Sequence, residues 1–134
     1  MNLSIEFKHR RISGRVTLAA SNSISTRVLV IRALLGGGLP VENLSDSDDT
    51  NVMRRILDSG DSRFDVGHAG TAMRFLTAFF ARTPGEWEIT GSERMKRRPI
   101  GILVEALNCI GARISYAEEA GSVSYTPLRA NETK

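Results

Sequence analysis

A strand-and-helix pattern occurs twice in this 134-residue chain at one fixed spacing. Arg27 and Arg74, each near the start of a helical segment, are 74 − 27 = 47 residues apart, and Asn43 corresponds to Thr90 in the same way. Self-similarity at a fixed period indicates a repeated structural unit whose copies bury their apolar faces against each other. The boundaries that we predict are a first unit over 14–66, a second unit over 63–126 and a tail over 127–134.

Hydrophobic periodicity predicts which segments are strands and which are helices. The predicted strands cover 14–19, 41–44, 63–66, 87–90, 112–116 and 122–126. The predicted helices include 71–81 and 99–110, a helix with the apolar face Ile24, Val28, Ile31, Leu34 and Leu35, and a helix carrying Val52, Met53, Ile56 and Leu57. Strands that alternate with helices of this length favour an α/β fold with helices packed on a sheet.

Composition is that of a globular domain, or of a piece of a larger one, because 41% of the residues are hydrophobic and 25% are charged. No apolar run is long enough to span a bilayer and no signal peptide is evident, so we expect a cytoplasmic protein without membrane contact. The single Cys109 cannot form an internal disulfide and is expected to be a small buried hydrophobe. His9 and His68 lack partners at metal-ligand spacing, so no metal site is expected.

Arginine dominates the basic residues, accounting for fifteen of the eighteen. Its guanidinium group suits bidentate contact with phosphate and carboxylate, which indicates anionic partners. One alternative is that most of these arginines lie on solvated helix faces beside acids. Nucleic-acid binding is another, but the basic residues do not form one run and few aromatic residues are interleaved among them.

Three segments combine arginine with backbone that can meet an anion. From Ser21 to Arg27 the chain enters a helix, so free N–H groups, hydroxyls and a guanidinium converge. Gly70 lets the backbone approach a ligand closely, and Arg74 follows within the first helical turn. The run 94–98 places four cations before a helix predicted to begin at Pro99. The alternatives are, respectively, an ordinary serine-rich cap, a tight turn and a solvated loop.

The segment Ser47-Asp48-Asp49 is typical of a helix start, with a capping hydroxyl and two acids in the first turn. A hard metal ion would need more oxygen ligands than the carboxylates of this segment supply. We therefore interpret the segment as a helix cap.

Four segments in a fixed order carry a resemblance to a known family: 21–27, 47–50 with Met53, 69–76 and 94–100. Over about residues 14–128 the chain resembles the N-terminal part of the enolpyruvylshikimate-phosphate synthases, or 3-phosphoshikimate 1-carboxyvinyltransferases. The resemblance implies a transferase of the shikimate pathway, hence of chorismate and aromatic amino acid biosynthesis. The implied reaction moves the enolpyruvyl group of phosphoenolpyruvate to the 5-hydroxyl of shikimate 3-phosphate through a tetrahedral intermediate, with loss of phosphate and without a cofactor.

The resemblance also implies which residues bind these two anions. Ser23 and Arg27 match contacts to shikimate 3-phosphate, and Gly70 and Arg94 match contacts to phosphoenolpyruvate. Asn22 occupies the position of a family lysine that reaches both substrates, and an amide cannot supply that charge. Two smaller departures are Ala20 for glycine and His68 for asparagine. Further candidates for substrate contact are Asp49, Thr71 and Arg74.

Family members are several-fold longer, and the resemblance implies two domains built from βαβαββ units. This chain would then be a partial domain of the enolpyruvyltransferase fold, with helices packed on a mixed sheet, and we expect it to be inactive without its partner, the remainder of the enzyme. The alternatives are a fragment of the related enzyme that acts on UDP-N-acetylglucosamine, a small basic RNA-binding module, and a module whose sites no longer bind.

Overall fold

The computed structural model describes residues 3–4, 13–116 and 123–126, the last four by their backbone. Within these residues it contains five helices and four strands. In chain order they are α1 (Asn22–Leu34), α2 (Asp48–Asp58), β1 (Arg63–Asp65), α3 (Gly70–Arg82), β2 (Trp87–Thr90), α4 (Glu93–Lys96), α5 (Gly101–Cys109), β3 (Arg113–Tyr116) and β4 (Val123–Thr126).

The four strands form one mixed sheet in the order β1-β2-β4-β3. β1 and β2 are parallel, with Phe64 opposite Ile89, and the β2–β4 and β4–β3 pairs are antiparallel. A parallel pair needs a crossover connection, which α3 provides. From β1 onward the elements follow the order βαβαββ once the four-residue α4 is set aside. The predicted α/β class, with helices on a mixed sheet, is confirmed.

α3 is the central helix, and it packs against α1, α2, α5 and the sheet. Leu76 is completely buried on its inner face. One turn later the ring of Phe80 stacks at 5.0 Å from the ring of Phe64 and at 4.6 Å from the ring of Trp87. These aromatic contacts join the helix to β1 and β2, and offset stacking of this kind contributes beyond the area that the rings bury.

The 47-residue spacing reappears in the burial of the two arginine-bearing helices. The three buried positions of α1 have buried counterparts in α3: Ser25 with Ala72, Thr26 with Met73, and Leu29 with Leu76. In its second half α3 also buries Thr77, Phe80 and Ala81, whereas the matching residues of α1, Val30, Ala33 and Leu34, are only partly buried or exposed. The same face of both helices is therefore turned inward, but α3 is covered along its whole length.

The apolar face predicted for α1 is largely in solvent. Ile24, Ile31, Leu34 and Leu35 all have at least 46% of their surface exposed. The helix instead turns the small polar Ser25 and Thr26 inward beside Leu29. The periodic pattern located the helix correctly, but packing against α2 and α3 selects the other face. By contrast, the apolar face of α2 is inward as predicted, with Met53 and Ile56 buried.

Two predicted strands, 14–19 and 41–44, are not formed. Residues 14–19 are exposed and pair with no strand in the described part of the chain. A strand is stabilised by hydrogen bonds to a neighbouring strand. Because 14–19 has no such neighbour, its backbone N–H and C=O groups are left to water. In 41–44, Asn43 has φ 53°. This left-handed conformation interrupts extended backbone, although Asn tolerates it better than most residues.

The region around α5 corrects two further predictions. The helix begins at Gly101 and not at Pro99, because the Arg98 N–H closes the α4 turn on the Met95 carbonyl and the first bond of α5 runs from the Val104 N–H to the Ile100 carbonyl. Cys109, expected to be buried, is exposed. It lies in the last turn of α5, whereas Val104 is the buried residue of that helix.

The predicted turn 118–121 and the tail 127–134 lie outside the described residues. Among the described residues, no helix combines the length and the apolar character needed to cross a membrane.

Candidate functional site

The first predicted anion site lies at the start of α1. Ser21 caps the helix by accepting a hydrogen bond from the Ile24 N–H at 3.3 Å. Arg27 turns back along the helix and donates to the hydroxyl and the carbonyl of Ser23, at 2.6 and 2.7 Å. Its guanidinium also lies 5.6 Å from the centre of the Phe75 ring. Ser23 and Arg27 are thus brought together as predicted, beside α3.

Asn22 joins α1 to the first turn of α2. Its side-chain oxygen accepts hydrogen bonds from the Ser47 hydroxyl at 2.7 Å and the Thr50 hydroxyl at 3.0 Å. Ser47 is at the same time the cap of α2, as predicted, because its hydroxyl accepts from the Thr50 N–H. The position taken by a lysine in the resembled family therefore holds a neutral group whose acceptor oxygen is occupied by two hydroxyl donors.

Asp49 does more than carry charge in the first turn of α2. Its carboxylate accepts the backbone N–H groups of Thr71 and Ala72 at 2.9 and 3.0 Å. The N-cap residue of α3, Ala69, makes no side-chain capping bond. A carboxylate from another helix therefore satisfies the free amides at the positive end of α3. Sequence reasoning identified the cap of α2 but missed this cap of α3, because the two residues are 22 positions apart in the chain.

The first turn of α2 thus touches the starts of both arginine-bearing helices. Asn22 is bonded to Ser47 and Thr50, and Asp49 is bonded to Thr71. The two segments that were predicted separately to bind anions are held on either side of one polar turn. The motif 47–50 was visible in the sequence. Its contacts with the starts of the two helices were not, because a local pattern does not predict tertiary contacts.

The second predicted site lies at the start of α3. Arg74 donates to the Gly70 carbonyl at 3.2 Å, so these two residues are brought together as predicted. The side chain of Arg98, which sequence reasoning did not single out, lies directly over Gly70. A Cβ atom placed on Gly70 would overlap the Arg98 guanidinium nitrogen Nη1 and lie 3.7 Å from Arg74 Nη1. The absence of a side chain at Gly70 therefore makes room for arginine.

Arg94 lies in a cleft of about 210 Å³, together with His68, Ser92, Met95 and Arg98. The Ser92 hydroxyl is 2.9 Å from His68 Nδ1, which fixes the imidazole at the edge of this cleft. Arg98 also lines a neighbouring cleft of about 230 Å³ with Arg74, so it stands between the two spaces. Arg94 and Gly70 are therefore linked through Arg98.

The region around Arg74, Arg94 and Arg98 carries an excess of positive charge. Within the described residues, Arg74, Arg94 and Arg98 form no ion pair with an acid. The nearby Glu93 is paired with Lys96 at 2.9 Å. That hydrogen bond and charge lower the pKa of the fully exposed Glu93 carboxyl. The one acid of α4 thus neutralises a lysine and leaves the arginines uncompensated.

A larger cleft lies elsewhere in the described structure. It has a volume of about 610 Å³ and lies between α2 and the segment that runs from β1 to α3. None of the predicted site residues lines it, and both acids and arginines do. Its size alone does not make it the candidate site. In the described part of the chain, no three His, Cys, Asp or Glu side chains lie close enough together to hold a metal ion.

Comparison with known proteins gives one family. The family model for EPSP synthase (3-phosphoshikimate 1-carboxyvinyltransferase) matches residues 57–133. The 3-phosphoshikimate 1-carboxyvinyltransferase of Bacteroides fragilis is 50% identical over 119 residues, which is 89% of this chain and 28% of that protein. The Bordetella petrii enzyme of the same name is 41% identical over 146 residues, covering 92% of this chain and 32% of its own length.

Solved structures give the same fold. Two structures of EPSP synthase from Acinetobacter baumannii match with TM-scores of 0.67 and 0.68 at 20% identity, covering 85% of this chain and 32% of theirs. A βαβαββ order on a mixed sheet, with arginines grouped around two helix starts, defines a chain of the enolpyruvyltransferase fold. The chain belongs to the EPSP synthase family. It spans about a third of the length of the relatives it matches.

Proposed function

We propose that this chain supplies part of the substrate site of a 3-phosphoshikimate 1-carboxyvinyltransferase. In the complete reaction the 5-hydroxyl oxygen of shikimate 3-phosphate adds to C2 of phosphoenolpyruvate, and a proton adds to C3. Loss of phosphate and of a proton from the resulting tetrahedral intermediate then leaves the enolpyruvyl ether. The observation that carries the proposal is the first turn of α2, which bonds to Asn22 on one side and to Thr71 on the other.

The two sides of that turn are assigned different substrates. Ser23 and Arg27 contact shikimate 3-phosphate, because a hydroxyl and a guanidinium already 2.6 Å apart offer donors to one phosphate. Gly70 and Arg94 contact phosphoenolpyruvate, with Thr71 and Arg74 beside them. Asp49 acts by holding the Thr71 N–H, and therefore positions α3 without meeting a substrate. This assignment is supported by the contacts and by the family to which the chain belongs.

The chain alone is proposed to be inactive. It matches about a third of its relatives' length, so the wall opposite this site and the acid and base of the reaction belong to polypeptide beyond these residues. The remainder of the enzyme is the proposed protein partner, and the cytoplasm, where both substrates are available, is the proposed location. The division into a first unit over 14–66 and a second over 63–126 is proposed as well, supported by the burial pattern shared at a spacing of 47.

Asn22 weakens the site further. A neutral amide replaces a charged ammonium at the junction of both substrates, and a hydrogen bond to a charged group contributes about 1.5–3 kcal/mol against about 1 kcal/mol for a neutral pair. The Ser47 and Thr50 hydroxyls can rotate to accept from an ammonium, so a lysine could be held at this place. We therefore propose that Asn22→Lys restores affinity.

The test is an amide NMR titration of the chain with shikimate 3-phosphate, repeated with Asn22→Lys. We expect saturable shifts at Ser23 and Arg27 that occur at lower concentration in the lysine variant. Glucose 6-phosphate serves as the ligand control, and Asn51→Lys, an equivalent change on the exposed side of α2, serves as the protein control. Equal responses to both sugar phosphates, or equal gains from both lysines, would show non-specific attraction of anions and would contradict the proposal.

A further inference from the structure

The side chain of Arg98 occupies an unusual place. Gly70 begins α3, and the space where its side chain would lie is filled by the Arg98 guanidinium, with Cζ 3.2 Å from the position of a Cβ atom. Arg74 Nη1 lies 3.7 Å from the same point. Two guanidinium groups from different elements, the α4–α5 connection and α3, therefore converge on one glycine.

Among the described residues, no acid forms an ion pair with either of these two arginines. Arg74 donates to the Gly70 carbonyl, and Arg98 donates no side-chain hydrogen bond to any described residue. The Asp49 carboxylate accepts the Thr71 and Ala72 amides and forms no ion pair with either arginine. Like charges a few ångströms apart repel each other unless an anion or an acid lies between them. Five guanidinium donors on each side chain remain largely available for such an anion.

The space around Arg98 is open to a small ligand. Arg98 lines the cleft that contains Arg94, Ser92 and His68, and it also lines the cleft that contains Arg74. The amides of Thr71 and Ala72 face Asp49 instead, so the site depends on side-chain cations and not on the free end of the helix.

We propose that Arg98 is a substrate-binding residue which, with Arg74, clamps one anionic group of phosphoenolpyruvate above Gly70, while Arg94 meets the other. The inference rests on the proposed function only for the identity of the ligand. A side chain at Gly70 would displace the Arg98 guanidinium from this position. Arg97 has no such role, because its Nε turns back to the Glu93 carbonyl at 3.3 Å.

The test compares Arg98→Gln with Arg97→Gln, two adjacent arginines that lose the same charge. Binding of phosphoenolpyruvate, inorganic phosphate and pyruvate is followed through the amide signals of Gly70 and Thr71 at fixed ionic strength. We expect Arg98→Gln to weaken phosphoenolpyruvate binding about tenfold or more, as for loss of a charged hydrogen-bonding partner. Arg97→Gln should weaken it less than about twofold, the effect of screened surface charge. The probe that loses most, phosphate or pyruvate, identifies the group that Arg98 holds.

A second arm tests the geometry through Gly70→Ala. Because the added methyl must push Arg98 aside, Gly70→Ala should weaken binding in the parent chain but not further in the Arg98→Gln background, a non-additive pair. Equal effects of Arg98→Gln and Arg97→Gln, additive effects of the pair, or no saturable binding of any probe would each overturn the role of Arg98. Shifts at Ser23 and Arg27 with shikimate 3-phosphate are read separately, so the proposed function stands or fails independently.

Discussion

The two arginine-bearing helices differ in how their first turn is capped and in how much of their apolar surface is buried. α1 is capped locally, by Ser21 at its own start, but leaves a long apolar face in solvent. α3 has no local cap and depends on Asp49 from α2, yet its inner face is covered from its first turn to its last. Both helices have thirteen residues. The difference therefore lies in what surrounds them and not in their length.

The outer faces show the same contrast in sequence. Ile24 and Ile31 of α1 and Leu35 directly after it are exposed, and the residues 47 positions later are Thr71, Ala78 and Arg82 of α3. The outer face of α3 is thus made of polar or small residues that suit water, whereas that of α1 is not. In the described structure the large apolar residues of α3 are turned inward, whereas α1 carries apolar residues on its exposed face as well.

The largest expected effect comes from the covered helix. Phe80→Ala removes the ring that stacks on Phe64 and Trp87, so we expect a loss of about 3–5 kcal/mol in the free energy of unfolding. Leu34→Ala, in the corresponding second half of α1, should cost less than about 1 kcal/mol because Leu34 is 46% exposed. Urea unfolding followed by circular dichroism measures both. Similar losses in the two variants would contradict the difference between the helices.

The second largest effect concerns Asp49, the residue of α2 that caps α3. Asp49→Ala leaves the Thr71 and Ala72 amides without their acceptor, and we expect a loss of about 1–3 kcal/mol in stability. Asp48→Ala, the neighbouring acid on the exposed side of the same turn, is the matched control and should cost less than about 0.5 kcal/mol. Hydrogen exchange should accelerate at Thr71 and Ala72 in the first variant alone. Unchanged exchange there would mean that α3 does not depend on Asp49.

A smaller loss is expected at the start of α1. Asn22→Ala removes the oxygen that accepts from the Ser47 and Thr50 hydroxyls, so about 1 kcal/mol of stability should be lost. Asn51→Ala removes a comparable amide, bonded to the exposed Asp46 carbonyl, and is expected to cost less. Because Ser21 still caps α1, the helix itself should remain formed in both variants. Loss of helical signal with Asn22→Ala would place the main support of α1 in this contact and not in its own cap.

Sequence reasoning predicted most of α2, α3 and the strands from 63 onward, because apolar periodicity there coincides with real burial, as at Met53 and Leu76. It failed at 14–19 and 41–44, where a strand requires a neighbour that local pattern cannot supply. In α1 it located the helix but not the inward face, since Ser25 and Thr26 are buried only through contacts with other elements.

The candidate site divides in the same way. Ser23 with Arg27 and Gly70 with Arg74 are one turn apart on a helix, so their proximity follows from helical geometry. Arg98 over Gly70 and Asp49 on Thr71 join residues 28 and 22 positions apart, and only the tertiary packing brings them together. Local sequence does not predict which side chain will occupy the space beside a glycine.

The smallest effect on stability, with a large effect in solution, is expected on the outer face of α1. Ile31→Gln with Leu35→Gln changes residues that are 55% and 66% exposed, so the free energy of unfolding should change by less than about 0.5 kcal/mol. An apolar face of this kind drives association, so the parent chain should sediment as larger species when concentrated and the double variant should not. Ala78→Gln, the residue that corresponds to Ile31 in α3, should leave sedimentation unchanged. A parent chain that stays monomeric at every concentration would mean that this face is tolerated in water, and the contrast between the helices would then be one of packing alone.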